Sequence, residues 1–262
     1  MNIETLQTAL QDLPLGGLRY LEEVGSTNDI ALKWIEGKGR DFSLVIANSQ
    51  SSGRGRNGRI WQTPPDSALA LSLLLLPKSR EKKNISLFTG LGALALVNTL
   101  TEKYALKAEI KWPNDVLVNG KKLAGILVES SWLGEEIQGI VLGIGINICK
   151  EAVPKNVDFP ATSLEDALGK KVDRVEVLHG MLSKLIELRP LLGSGEMVTA
   201  WDANLAFRGK QVEVARGDGQ VIHGKILGIN PDGSFHLDTL ASLHFGDVHL
   251  RPMRVSYSRK NE

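Results

Sequence analysis

Ala108-Glu-Ile-Lys-Trp-Pro-Asn-Asp-Val-Leu-Val-Asn-Gly-Lys-Lys-Leu-Ala-Gly-Ile-Leu-Val128 is a run of short apolar segments broken by one Trp-Pro pair and one Asn-Gly pair. Residues 108–112, 116–118 and 123–128 read as three short strands. Asn119-Gly120 between the last two predicts a tight hairpin, because both turn positions tolerate positive φ. Residues 137–148 form a further strand that ends in Gly143-Ile-Gly-Ile-Asn147.

Upstream, residues 68–76 are apolar and end at Pro77. This run is far shorter than the ~20 residues a membrane helix needs, so it reads as a buried strand. Residues 85–104 predict a helix that is apolar nearly all round and therefore central. Residues 43–48 read as a strand. Ser26-Thr27-Asn28-Asp29 marks a helix N-terminus ahead of Ile30, Ala31, Trp34 and Ile35. Ile3, Leu6, Leu10 and Leu13 give a short amphipathic helix closed by Pro14. Downstream, a loop with Pro154 and Pro160 precedes helices at 175–192 and 197–205. Beyond Arg208 the Gly217-Asp-Gly219 and Asn230-Pro-Asp-Gly233 turns separate short strands. The expected fold is α+β: a mixed, largely antiparallel sheet with helices on one face, then a small C-terminal β-barrel. The expected domains are residues 1–206 and 207–262.

The 262 residues carry 31 Lys+Arg against 30 Asp+Glu, a net charge of +1. That balance argues against a bulk nucleic-acid binder. With 42% hydrophobic and 23% charged residues, the chain is neither disordered nor fibrous. The single cysteine, Cys149, excludes an internal disulfide and suits a reducing compartment. Residues 1–13 lack the basic cluster and apolar core of a signal peptide. A cytoplasmic location is expected. The five histidines are scattered and show no metal-ligand spacing with the cysteine, so no protein-bound metal site is expected.

Three segments invite chemistry. Gly53-Arg-Gly-Arg-Asn-Gly-Arg59 is a polar, glycine-rich loop. Its backbone N–H groups and arginines suit a phosphate or carboxylate, although P-loop spacing is absent. It also reads as a solvated basic loop. Lys111-Trp-Pro-Asn-Asp115 holds a lysine at a strand end, where it can neutralise developing negative charge. The same residues also read as an ordinary turn. Gly143-x-Gly-x-Asn147 lacks the third glycine of a dinucleotide fingerprint. Glycine in a strand marks close approach of a ligand or backbone, and Asn147 could hydrogen-bond a nucleotide.

Taken in order, Ser26-Thr27-Asn28, Gln50-x-x-Gly-Arg-Gly-Arg56 with Gly58-Arg59 and Trp61, Lys111-Trp-Pro-Asn-Asp115, Lys122-Leu-Ala-Gly-Ile-Leu-Val-Glu129 and Gly143-x-Gly-x-Asn147 resemble the biotin protein ligases. The match is dense over about residues 20–150. It extends weakly to the end through Gly246-Asp247 and Leu250-Arg251. The resemblance implies the class II synthetase-like catalytic fold and a two-step reaction. Biotin and ATP, with Mg²⁺, give biotinyl-5′-adenylate. The acyl group then passes to one lysine of the biotin carboxyl carrier protein of acetyl-CoA carboxylase. By the same resemblance Ser26, Thr27, Asn28, Gln50, Arg54, Gly55, Arg56 and Lys111 would contact biotin. Arg54, Arg56, Trp61, Asn147 and Arg251 would contact the nucleotide, with Lys111 and Arg56 carrying catalysis. The segment from Phe159 to Leu164 resembles the part that covers adenosine. Residues 54–59 are expected to close over the adenylate and exclude water.

Some members of the family carry an N-terminal winged helix-turn-helix. Only 25 residues precede Ser26 here, so no repressor function and no DNA are expected, with a monomer or homodimer as the assembly. A lipoate or octanoate attachment enzyme and a non-catalytic biotinyl-adenylate binder stay open as alternatives.

Overall fold

The computed structural model describes residues 1–155, 159–215, 220–243 and 249–252. The predicted turn at 217–219, Gly246-Asp247 and His244 lie outside these residues. The chain opens with α1 (Ile3–Ala9), where the Asn2 side chain accepts from the Thr5 N–H at 2.8 Å. β1 (Gly17–Val24), α2 (Thr27–Glu36) and β2 (Ser43–Gln50) form a crossover unit, because β1 and β2 are parallel and a parallel pair needs one. β3 (Ala68–Leu75), α3 (Leu87–Tyr104), β4 (Ala108–Lys111), β5 (Asp115–Val118), β6 (Lys121–Leu133) and β7 (Glu136–Asn147) follow. The seven strands make one sheet in the order β1-β2-β3-β7-β6-β5-β4, antiparallel except for the first pair. At the predicted hairpin, Asn119 and Gly120 have φ of 50° and 71°, and Val118 faces Lys121.

Alternation along the central strands separates the two faces of the sheet. Leu69, Leu71, Leu73 and Leu75 of β3 join Ile140, Leu142, Ile144 and Ile146 of β7 in the main core. α3 covers that face. Thirteen of its eighteen residues are buried, as an all-round apolar helix must be. Behind it lie α5 (Arg174–Leu188) and α6 (Gly195–Ala203), reached through the short α4 (Leu164–Leu168). On the opposite face Val45, Leu74 and Val141 pack against Ala31 and Ile35 of α2. Helices therefore lie on both faces, not one. The crossover between β1 and β2 puts α2 on the side away from α3.

One other expectation changes, and two local features were not foreseen. The predicted helix at 175–192 stops at Leu188 and tightens into a 3-10 turn, because Pro190 has no N–H to continue it. α4 was not foreseen. The loop after β2 has local structure: Arg54 bridges to Ile60 and Gln50 to Thr63, and Arg56–Gly58 form a 3-10 turn.

The second sheet contains β8 (Gln211–Ala215), β9 (Val221–Ile229), β10 (Phe235–Leu237), β11 (Leu240–Leu243) and β12 (His249–Pro252). It is antiparallel, in the order β11-β10-β9-β8-β12. Among the described residues this is an open sheet, where a barrel was expected. It docks on the first through Trp112, whose ring stacks on Phe235 at 5.1 Å and whose Nε1 donates to the Gly233 carbonyl at 2.9 Å. Among the described residues no helix is long and apolar enough to cross a membrane.

Candidate active site

The face of the large sheet that carries α2 also bears a cavity of about 560 Å³. Its floor is the outward side of β7. There Gly143, Gly145 and Asn147 alternate with the isoleucines that face the core. The glycines admit neighbouring side chains. A Cβ on Gly143 would lie 2.2 Å from Asn28 Oδ1, and one on Gly145 would lie 2.2 Å from the Trp61 ring. The close approach expected at these glycines thus comes from two side chains. Trp61 also covers Gly125 of β6, and its buried Nε1 makes no hydrogen bond among the described residues.

The first turn of α2 forms one wall. Ser26, Thr27 and Asn28 are buried although all three are polar. Ser26 occupies the N-cap without a capping side-chain bond. Gln50 takes that role: its Oε1 accepts from the Thr27 N–H at 2.8 Å, and its Nε2 donates to Thr63 Oγ1 at 3.1 Å. Ser72, the polar residue in the apolar strand β3, places its Oγ 2.8 Å from Thr27 Oγ1 and 2.5 Å from Asn28 Oδ1. Asn28 Nδ2 donates to Glu129 Oε2 at 2.6 Å.

Residues 51–60 make the roof. The Gly55 N–H donates to the Arg59 carbonyl, Arg59 to Arg56, and Trp61 to Gly53. Those three N–H groups hold the loop's own turn. Asn57 and Gly58 have φ of 55° and 72°, the left-handed region that Asn and Gly tolerate. Arg54 pairs with Asp29 and, at 2.7 Å, with Glu129. Burial pulls its guanidinium down, but these two partners outweigh burial and hold it above its ordinary pKa. Arg56 donates to Asn114 Oδ1 at 3.4 Å.

The turn after β4 supplies the far wall, with a cis peptide at Trp112–Pro113. Lys111 is largely buried. Its Nζ lies 3.8 Å from Asp115 and 4.2 Å from the Phe159 ring centroid. Lys122 pairs with the same Asp115 at 2.7 Å. Phe159 and Ala161 line the cavity because their segment runs beside the start of β6. There the Lys122 N–H donates to the Pro160 carbonyl at 2.7 Å, and the Thr162 N–H to the Lys122 carbonyl at 2.9 Å. Asn147 Nδ2 donates to the Thr162 carbonyl at 3.1 Å, which fastens this segment to β7.

All predicted site residues except Arg251 line this one cavity: Ser26, Thr27, Asn28, Gln50, Arg54, Gly55, Arg56, Trp61, Lys111 and Asn147. Arg251 lies on β12 in register with Glu213 of β8. Sequence reasoning passed over Ser72, Lys122 and Glu129. Ser72 could have been found as a lone polar residue inside an apolar strand. Lys122 and Glu129 were quoted in one motif but given no role.

The model of the biotin/lipoate A/B protein ligase family matches residues 20–147, and that of the biotin protein ligase C-terminal domain matches residues 207–251. The bifunctional ligase/repressor BirA of Bacillus subtilis is 31% identical over 241 residues, which cover 89% of this chain and 74% of that protein. A biotin–[acetyl-CoA-carboxylase] ligase of Mycobacterium tuberculosis is 32% identical over 263 residues, 94% of this chain and 96% of that one. The biotin protein ligase of Aquifex aeolicus, solved with biotin and ATP, superposes with a TM-score of 0.77 at 27% identity, covering 90% of this chain and 99% of that one. A matching family model and relatives aligned over most of their length lead to one conclusion: this chain belongs to the biotin/lipoate A/B protein ligase family, among its biotin protein ligases.

Proposed function

We propose that this protein activates biotin with ATP to biotinyl-5′-adenylate and pyrophosphate. It then transfers biotin to a lysine of the biotin carboxyl carrier protein of acetyl-CoA carboxylase. The observation that carries the reading is the convergence of residues from five separate motifs on one cavity of about 560 Å³. Residues 1–206 are proposed to carry the reaction and residues 207–262 to support it.

Biotin has an apolar body and one ureido group that both donates and accepts. Such a ligand suits an apolar pocket with a few fixed polar contacts. Ser26, Thr27, Asn28 and Gln50 are proposed to meet that ring, with Gly55 giving the roof room to approach. The biotin carboxylate must attack the α-phosphorus, although both carry negative charge. Two unit charges at 4 Å repel by about 1 kcal/mol in water and ~4 kcal/mol near a protein surface. Lys111 and Arg56 are proposed to offset that repulsion. Trp61, with its unsatisfied Nε1, and Asn147 are proposed to take the nucleotide, assisted by Arg54 and Arg251. In the first step the carboxylate oxygen bonds to the α-phosphorus and pyrophosphate leaves. In the second, the carrier lysine amine attacks the acyl carbon, AMP leaves and the amine loses a proton. The protein positions and neutralises without a covalent intermediate of its own.

Among the described residues no group of three or more His, Cys, Asp or Glu converges to hold a metal ion. Asp115 is engaged by Lys111 and Lys122. This donor set suits magnesium that arrives on the ATP phosphates as part of the substrate. A net charge of +1 gives no cationic excess for a DNA backbone, so the reading is a ligase without repressor function.

The test is pyrophosphate release from ATP by the purified chain with biotin or with lipoate, followed by label transfer to a carrier domain. Release and transfer with biotin are expected. Release with lipoate alone would move the protein to the lipoate branch. Adenylate binding without release would make it a regulator.

A further inference from the structure

Glu129 lies on β6 between the two halves of the site that must act together. One of its oxygens, Oε2, accepts from Asn28 Nδ2 at 2.6 Å and from Arg54 Nη2 at 2.7 Å. The first contact reaches the floor of the cavity, and the second reaches the root of the roof loop. Asn28 is buried on its other side, where Ser72 Oγ lies 2.5 Å from its Oδ1. An ionised carboxylate can only accept, so the Asn28 amino group must face Glu129 and its carbonyl must face Ser72. That leaves the second Nδ2 proton of Asn28 for a ligand in the cavity.

Arg54 is the residue whose backbone pairs with Ile60 across the loop. Its guanidinium is held by Glu129 from the sheet and by Asp29 from the first turn of α2. Two carboxylates offset its charge, so Arg54 serves the geometry of the loop more than the neutralisation of an anion.

We infer that Glu129 is a positioning residue: one carboxylate oxygen fixes the orientation of Asn28 and the root of the roof loop together, so that filling the biotin pocket and closing the roof are coupled. This deepens the ligase reading and rests on it. Asp29 provides an internal comparison, because it holds the same arginine without touching Asn28. Disturbing Asp29 frees the loop root alone, whereas disturbing Glu129 frees both.

The experiment uses the full chain with Glu129→Gln, Glu129→Ala and Asp29→Asn. Amide hydrogen exchange over residues 51–60 is measured without ligand, together with KM for biotin and kcat for pyrophosphate release. Glu129→Ala is expected to speed exchange in 51–60 and to raise KM for biotin about tenfold, the loss of one charge-assisted hydrogen bond, with a smaller effect on kcat. Glu129→Gln keeps the shape and one acceptor and should fall between it and the wild type. Asp29→Asn should speed exchange in 51–60 and raise KM for biotin clearly less than Glu129→Ala does. Effects of Glu129→Ala should be non-additive with Asn28→Ala and with Arg54→Ala. Unchanged exchange in 51–60, additive cycles, or equal losses of kcat and biotin affinity in all three variants would overturn the inference. If the wild type releases no pyrophosphate with biotin, the ligase reading fails. The exchange cycles on the unliganded chain still decide whether Glu129 joins the two halves.

Discussion

Gly143 and Gly145 show what single residues contribute here. Each leaves a gap one Cβ wide, and each gap is filled by a different group: Asn28 over Gly143 and Trp61 over Gly145. Adding a methyl at either site forces a shift, at a typical overpacking cost of about 1–3 kcal/mol. The two substitutions should separate the substrates. Gly143→Ala is expected to raise KM for biotin, and Gly145→Ala to raise KM for ATP, both read from pyrophosphate release. If both variants shift the same constant equally, the assignment of the two ends of the cavity is wrong. The glycines themselves were legible in the sequence, but their partners were not. Asn28 and Trp61 sit far away along the chain, and no local pattern says which side chain will cover which gap. Gln50 is a similar case. Ser26 is the obvious capping residue by type, yet the distant Gln50 satisfies the Thr27 N–H.

At the level of elements, the hairpin between β5 and β6 could be read directly, because Asn-Gly fixes a two-residue turn whatever packs around it. The apolar character of β3 and α3 announced burial equally well. Trp112 could not be read this way. It follows Lys111 in a site motif, yet its ring anchors the second sheet on Phe235 and Gly233. The turn that carries Lys111 is therefore braced from behind by the C-terminal sheet. Trp112→Phe retains most of the stacking but loses the indole hydrogen bond to Gly233. It should cost about 1–3 kcal/mol, because the buried Gly233 carbonyl loses that donor. A urea-unfolding midpoint that does not move would show that the bond contributes nothing. The short α4 escaped notice because five residues are too few for a periodic signal.

Across the whole molecule, α5 is fastened to the large sheet near both ends by arginines. Arg174 opens the helix and reaches Asp66 at 2.6 Å and Asn48 at 3.0 Å. Arg189, just past the other end, is buried and reaches Asp41, Glu81 and the Leu76 carbonyl. The Arg174 hydrogen bond holds the Asp66 carboxyl below its ordinary range. A depressed acid pKa contributes stability that is present above the unfolded value, about pH 4 for Asp, and is lost as pH falls through the folded value. Asp66→Asn should therefore flatten the pH dependence of the unfolding midpoint below about pH 4 and leave its shape above that unchanged. An identical acid profile in the variant would refute the role of this pair. The sequence announced neither arginine, since each meets partners that lie far away along the chain.

The alternation along β7 also bears on how the chain reaches this fold. Its side chains change sides at every step, with Ile144 and Ile146 inward and Gly143, Gly145 and Asn147 outward. A slip of one position against β3 would turn the isoleucines into the binding hollow and the glycines into the core. Such a misassembled chain would lose its catalytic hollow and its interior filling in a single event. An inactive product would therefore be an unstable one as well, open to clearance by proteolysis.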